Sequence, residues 1–208
     1  MEVRPERLGR WLAGFDERHR VSRTRYSPEV VTVFGSDGTV AECRSAFALP
    51  AGGDNPGLAV DALVAHSLAS RVVGVVLARL GGHAAGVFDG ERLVVSKVGS
   101  RLVQGRTAAG GWSQQRFARR RAGQAVKAAG AAADDIARVL GPRLSTLDAV
   151  VLGGERRAVD ALRSDARLAP VFSLAVERFV TTPDPKLAVL QNVPSLYRSV
   201  HIRLVDPE

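Results

Sequence analysis

RVVGVVLARLGGHAAGVFDGERLVVSKV, residues 71–98, carries the clearest architectural signal in this chain of 208 residues. Three apolar-rich runs, 71–80, 83–88 and 91–98, are separated by Gly81-Gly82 and Asp89-Gly90. Asp-Gly between apolar runs is a strong short-range hairpin signal, so the stretch predicts a three-stranded meander. On its C-terminal side, residues 99–113 form a glycine-punctuated connection, long for a compact domain, where such length marks function or disorder. Ala118, Ala122, Ala125, Ala129, Ala132, Ile136 and Leu140 then recur every three or four positions and predict a long helix with a small-residue stripe facing the core. Ser113 is its expected N-cap. Further on, 147–152 reads as a buried strand ending in Gly153-Gly154, 155–166 as a helix, 171–180 as a strand, 186–191 as a short helix and 200–205 as a last strand.

On the N-terminal side, Leu8, Trp11, Leu12 and Phe15 fall on one face of an amphipathic helix. Residues 30–34 and 39–47 read as strands about a Gly35-Ser36-Asp37-Gly38 turn, and 58–70 as a helix with Leu58, Ala62, Leu63, Ala65 and Leu68 inward. The expected fold class is α/β (α+β), a mixed β-sheet covered by helices. One domain is expected over residues 1–208, with residues 1–27 as a helical appendage packed on it.

Charge is distributed unevenly. Between Arg92 and Ala133 there are nine basic residues and no Asp or Glu, whereas elsewhere 20 basic residues meet 21 acidic ones, so the formal +8 arises in this segment. Such a focused field points to a polyanionic partner met at one face, usually nucleic acid. No apolar run approaches the roughly 18 residues a membrane helix needs, and the charged N-terminus lacks a signal-type core, so the cytoplasm is the expected compartment. Cys43 is the single cysteine, which excludes an intrachain disulfide and a thiolate cluster; no metal or other cofactor is called for.

Familiar hydrolytic chemistry finds little support. His19, His66, His83 and His201 fall in four different elements without a nucleophile motif, and each is read as a surface or satisfied core residue. Neither glycine-rich stretch ends in the Gly-Lys-Ser/Thr of a phosphate-binding loop. The segment Gly110-Gly111-Trp112-Ser113-Gln114-Gln115 suggests another chemistry. A glutamine amide donates and accepts hydrogen bonds together and can hold a water against an electrophile, while adjacent glycines permit close backbone approach. Trp112 either anchors the loop or stacks on a base.

Gly86-Val87-Phe88-Asp89-Gly90-Glu91-Arg92-Leu93, followed by Gly110-Gly111 and then by Arg116-Phe117-Ala118-Arg119, resembles the central domain of eukaryotic class I release factors, where a Gly-Gly-Gln tip precedes an Arg-Phe-Ala-Arg helix. With Gly111-Trp112-Ser113-Gln114 matching a Gly-x-x-Gln loop, the stretch is more similar to the Vms-like release factor (VLRF) family, in its actinobacterial branch of ribosome-rescue peptidyl-tRNA hydrolases. The resemblance implies a mixed α/β domain of RNase H-like arrangement, acting without a stop codon on the ester that joins a stalled nascent chain to tRNA. The implied partners are large-subunit rRNA and peptidyl-tRNA, with no membrane and no DNA, the protein acting as a monomer on the ribosome. The implied catalytic residues are Gln114, Gly110, Gly111 and Gln115, either glutamine serving to orient water; Trp112 stands where release factors carry Gln. The RNA-binding candidates are Arg106, Trp112, Arg116, Arg119, Arg120, Arg121 and Lys127. A nuclease acting near the tRNA 3′ end and a non-catalytic ribosome- or RNA-binding module are the competing readings.

Overall fold

The computed structural model describes residues 1–100 and 113–207. They form two compact units, Met1–Ser70 with Pro194–Glu208, and Arg71–Val193. The sequence suggested one domain with residues 1–27 appended; in space those residues supply a helix and two strands of the first unit.

The first unit runs β1 (Glu2–Val3), α1 (Pro5–His19), β2 (Val21–Tyr26), β3 (Val31–Gly35), β4 (Val40–Arg44), β5 (Asp54–Pro56) and α2 (Asp61–Leu68), and is completed by the returning β11 (Val200–Val205). Its sheet has the order β1-β11-β4-β3-β2-β5, every pair antiparallel. Pro5 opens α1, whose fixed φ suits a first helical turn. Leu8, Leu12 and Phe15 of that helix are fully buried in a core with Val31, Val33, Ala41, Cys43 and Ile202. The chain leaves α1 through Arg20 in the left-handed region (φ 48), its N–H donating to the Asp16 carbonyl, and enters β2, where Thr24 and Tyr26 point inward between exposed Arg23 and Arg25. The period-two pattern of a half-buried strand therefore lies inside residues 1–27, expected as a helical appendage, where Val21–Tyr26 forms a strand instead. In α2 only Leu63 of the expected inward residues is fully buried, and Ala62, Ala65 and Leu68 are exposed.

The second unit runs β6 (Val72–Arg79), β7 (Gly82–Asp89), β8 (Arg92–Ser100), α3 (Ser113–Leu140), β9 (Ala149–Gly154), α4 (Arg156–Leu162), α5 (Ala169–Ser173), β10 (Ala175–Val180) and α6 (Leu187–Tyr197), which carries the chain past Pro194. The sheet order is β10-β9-β6-β7-β8, with β6, β7 and β8 antiparallel and β9 and β10 parallel to β6. Counted within the unit this is 5-4-1-2-3, a mixed sheet of the expected RNase H-like arrangement. The meander is in place, with its two-residue loops at Leu80-Gly81 and Gly90-Glu91, one residue from the expected turns on either side. Every residue of β9 is buried, as its unbroken apolar run requires. Its last residue, Gly154, has φ +97, and a Cβ there would sit 2.3 Å from the Ala78 carbonyl oxygen, so only glycine lets β9 end alongside β6.

One expected strand is corrected. Residues 171–180 divide into α5, with Pro170 in its first turn, and β10. Pro170 lacks a ladder donor but has a helix-compatible φ, which turns Val171 into a buried helical residue. Among the described residues no helix is long and apolar enough to cross a membrane.

Burial also decides the chemistry of Cys43. Desolvation disfavours its thiolate and pushes the thiol up to about 12, leaving it a small core hydrophobe. Iodoacetamide at pH 8 should leave Cys43 unmodified in the native protein and modify it fully in denaturant, as read by intact mass.

Candidate nucleic-acid interface on the long helix

Helix α3 has 28 residues, about 42 Å at 1.5 Å per residue. It packs over β7 and β8 and beside α4. Its burial is divided along its length. Ala132, Ala133, Ile136, Val139 and Leu140 are buried in the core, Ala129 is partly buried against it, and Arg119, Arg120, Ala122, Gly123, Ala125, Val126 and Lys127 are exposed. The expected core stripe therefore holds from Ala129 onward; Ala122 and Ala125 instead line a groove of about 450 Å³ with Leu80, Arg79, Arg157 and Ala158. Among the described residues that line it, the polar side chains are Arg79, Arg157, Glu155 and His83, with no Ser, Thr or Cys.

Charge divides at the same place. The helix's acidic residues, Asp134 and Asp135, lie in its packed half and both are paired. Asp134 meets Arg167 at 2.9 Å, and Asp135 accepts from His83 Nε2 at 2.9 Å and meets Arg138 at 3.3 Å. Arg167 also grips Asp165, and that side-chain hydrogen bond holds the Asp165 carboxyl below its ordinary range. In the other half, Arg119, Arg120 and Lys127 meet no carboxylate among the described residues.

The first turn of α3 has no acid and contains Gln114, Gln115 and Arg116, with Ser113 as the first helical residue, one position inside its expected N-cap role. A helix N-terminus carries about half a positive charge and favours anions, yet here the nearby side chains are cationic. Arg116 and Arg120 also stand at i and i+4, a destabilising spacing for like charges. Phosphates placed at this end would relieve both terms. Of the remaining site residues, Arg121 lies in α3, and Arg106, Gly110, Gly111 and Trp112 lie outside the described residues.

What the sequence did not disclose is the pairing of the histidines. His19 meets Asp37, His201 meets Glu2 and His83 meets Asp135. In the last pair a buried His83 meets a partly buried Asp135, and the two are separated by 52 residues, with no spacing that announces it. It depends on Gly99, which is opposite His83 in the β7–β8 ladder rather than in a loop. A Cβ at Gly99 would lie 2.4 Å from His83 Cε1 and 3.3 Å from Asp135 Oδ2, so the imidazole crosses the bare backbone to reach the helix. Gly99→Ala should destabilise the second unit by about 2–3 kcal/mol through overpacking, checked by denaturant titration of wild type and variant.

Comparison with known proteins adds the lineage. Among solved structures, an archaeal translation termination factor, aRF1, is similar at 14% identity and a TM-score of 0.43, covering 76% of this chain and 46% of that one. The Vms1 mitochondrial localization core is similar at 12% identity and a TM-score of 0.43, covering 96% and 84%. Pelota of Archaeoglobus fulgidus is similar at 8% identity and a TM-score of 0.28, covering 88% and 57%. The chain thus spans about half the length of the archaeal termination factor. No curated protein matches it. The family model of the Actinobacteria/chloroflexi VLRF1 release factor matches residues 71–203, beginning where the second unit begins. With well over half its residues matched, the chain belongs to the VLRF1 release factor family of actinobacteria and chloroflexi.

Proposed function

We propose that this protein is a cytoplasmic, ribosome-associated peptidyl-tRNA hydrolase that frees stalled nascent chains on the large subunit. The observation that carries the reading is the division of α3. One end is packed and neutralised; toward the other, Arg119, Arg120 and Lys127 are exposed, and in the sequence Gln114-Gln115 stand in the first turn, separated from Gly110-Gly111 by two residues. In this reading Arg116, Arg119, Arg120, Arg121 and Lys127, with Arg106 and Trp112 from the preceding segment, engage rRNA and tRNA, phosphate contacts supplying position and affinity. The side-chain amide of Gln114 or Gln115 holds a water against the ester carbonyl. The water oxygen bonds to the carbonyl carbon, the bond to the tRNA 3′-terminal oxygen breaks, and that oxygen leaves as a hydroxyl. The amide carries no net proton, so the ribosomal site takes the water proton, returns one to the leaving tRNA oxygen, and supplies the rest of the surroundings.

The test is release from purified large subunits carrying peptidyl-tRNA, with peptide and tRNA sized together. Free peptide with full-length tRNA is expected from wild type. Gln114→Ala should lose this by about 100-fold or more while binding subunits within a factor of about two, as the loss of a positioning contact predicts. Release unchanged in both Gln114→Ala and Gln115→Ala sinks the mechanism. A shortened tRNA makes the protein a nuclease, and binding without product makes it a docking module.

Reversing Arg119 and Arg120 to Glu should act on affinity instead. The slope of log affinity against log salt should fall by about 2, and Kd for subunits should rise, with kcat at saturation retained. An unchanged slope removes these two residues from the interface.

A further inference from the structure

The His83–Asp135 pair has no part in the chemistry proposed above, and it lies within the packed half of helix α3, six residues past Ala129 where the packing begins. His83 is 4% exposed. On the side of the pair nearer the helix start, the buried and partly buried apolar residues of α3 that join the core are alanines, Ala129, Ala132 and Ala133, with Ala85 on β7, while Ile136, Val139 and Leu140 follow the pair. Methyl-to-methyl contacts are smooth and non-directional, so they hold a helix down without fixing its rotation or its slide. A hydrogen bond, by contrast, tolerates only a narrow range of distance and angle. Burying a His–Asp pair is no cheap route to stability, since an apolar pair of similar volume often does as well, and its gain is specificity of arrangement. Gly99 has been given up as a side-chain position so that the imidazole can reach Asp135 across β8.

The leverage is large. Ser113 lies 22 residues before Asp135. That is about 33 Å along the helix axis, so a tilt of about 10° at the pair moves the first turn by about 6 Å. We infer that His83 and Asp135, joined across Gly99, are positioning residues that fix the pitch of the cationic half of α3 and hence the place of its first turn. In its bearing on release this rests on the hydrolase reading; in its bearing on the helix it does not.

The experiment uses the full chain with cysteines at Ala122 and Val94, exposed on α3 and β8, while buried Cys43 stays unlabelled. Spin-label distance distributions and release kinetics are compared for wild type, His83→Gln, His83→Ala and Asp135→Leu, with the unfolding transition confirming a folded state. In His83→Ala the distribution should broaden by about 3 Å or more, the lever arm from Asp135 to residue 122 being about 20 Å. On unlabelled protein, kcat for release should fall by about tenfold or more with subunit Kd unchanged. His83→Gln, whose amide can still donate to Asp135, should restore both. Asp135→Leu, which keeps the packing and removes the acceptor, should behave as His83→Ala and serves if that variant does not fold. An unchanged distribution in a folded His83→Ala or Asp135→Leu protein overturns the inference, and a broadened distribution with wild-type release overturns its role in the reaction. If wild type itself releases nothing, the hydrolase reading fails and the distance distribution alone decides whether the pair holds the helix.

Discussion

A single long helix has to be held at one end and left bare at the other, and most of the second unit follows from that constraint. The five-stranded sheet offers α3 a landing surface on β7 and β8, and the helix fills it with Ala132, Ala133, Ile136, Val139 and Leu140. Toward its start, Arg119, Arg120, Ala122, Gly123, Ala125, Val126 and Lys127 are exposed, Val126 at 72%. An apolar residue left so open within a regular helix shows that this half was not selected for packing. The core beneath it is correspondingly one-sided, with β9 buried throughout while β8 keeps exposed positions along its length.

Electrostatics reinforces the division. The carboxylates that α3 has are placed where they fasten it: Asp134 to Arg167, and Asp135 to His83 and Arg138. Because these are spent on anchoring, nothing on the helix balances Arg119, Arg120 and Lys127, and the helix dipole adds to their field at the same end. The pairs that reach solvent, Asp134 with Arg167 and Asp135 with Arg138, contribute little to stability singly. Their value here lies in location, since an acid moved into the free half would cancel part of the charge that a polyanion meets.

Much of this was legible in the sequence. The meander, α1 and β11 were read from short-range pattern alone, since hairpin turns and a 3.6-residue apolar period are local properties. The cationic, acid-free segment was equally plain, because charge is additive along a chain. What escaped were features whose cause lies elsewhere in the sequence. Strand β2 reads as polar until β3 and β5 close on either side of it. Residues 169–173 became helical through Pro170 within an apolar run that otherwise suited a strand. Gly99 looked like a loop residue because its reason for being glycine is the ring of His83, sixteen positions earlier in sequence and directly opposite it in the ladder.

The alanines of α3 show why one pattern can have two causes. Ala118 through Leu140 keeps a single helical period, and the reading of a core stripe extended it along the whole helix. Packing accounts for the period only from Ala129 onward, so the exposed Ala122 and Ala125 need another explanation. An isolated helix is marginal in water, and a half that gains little from burial must draw its order from intrinsic propensity, which is highest for alanine. Small side chains also keep the face toward the hairpin and α4 open as a groove rather than filling it. The same residue type thus serves close packing at one end of α3 and self-supporting helix at the other, where cationic neighbours at the unfavourable end of the dipole make that intrinsic preference necessary.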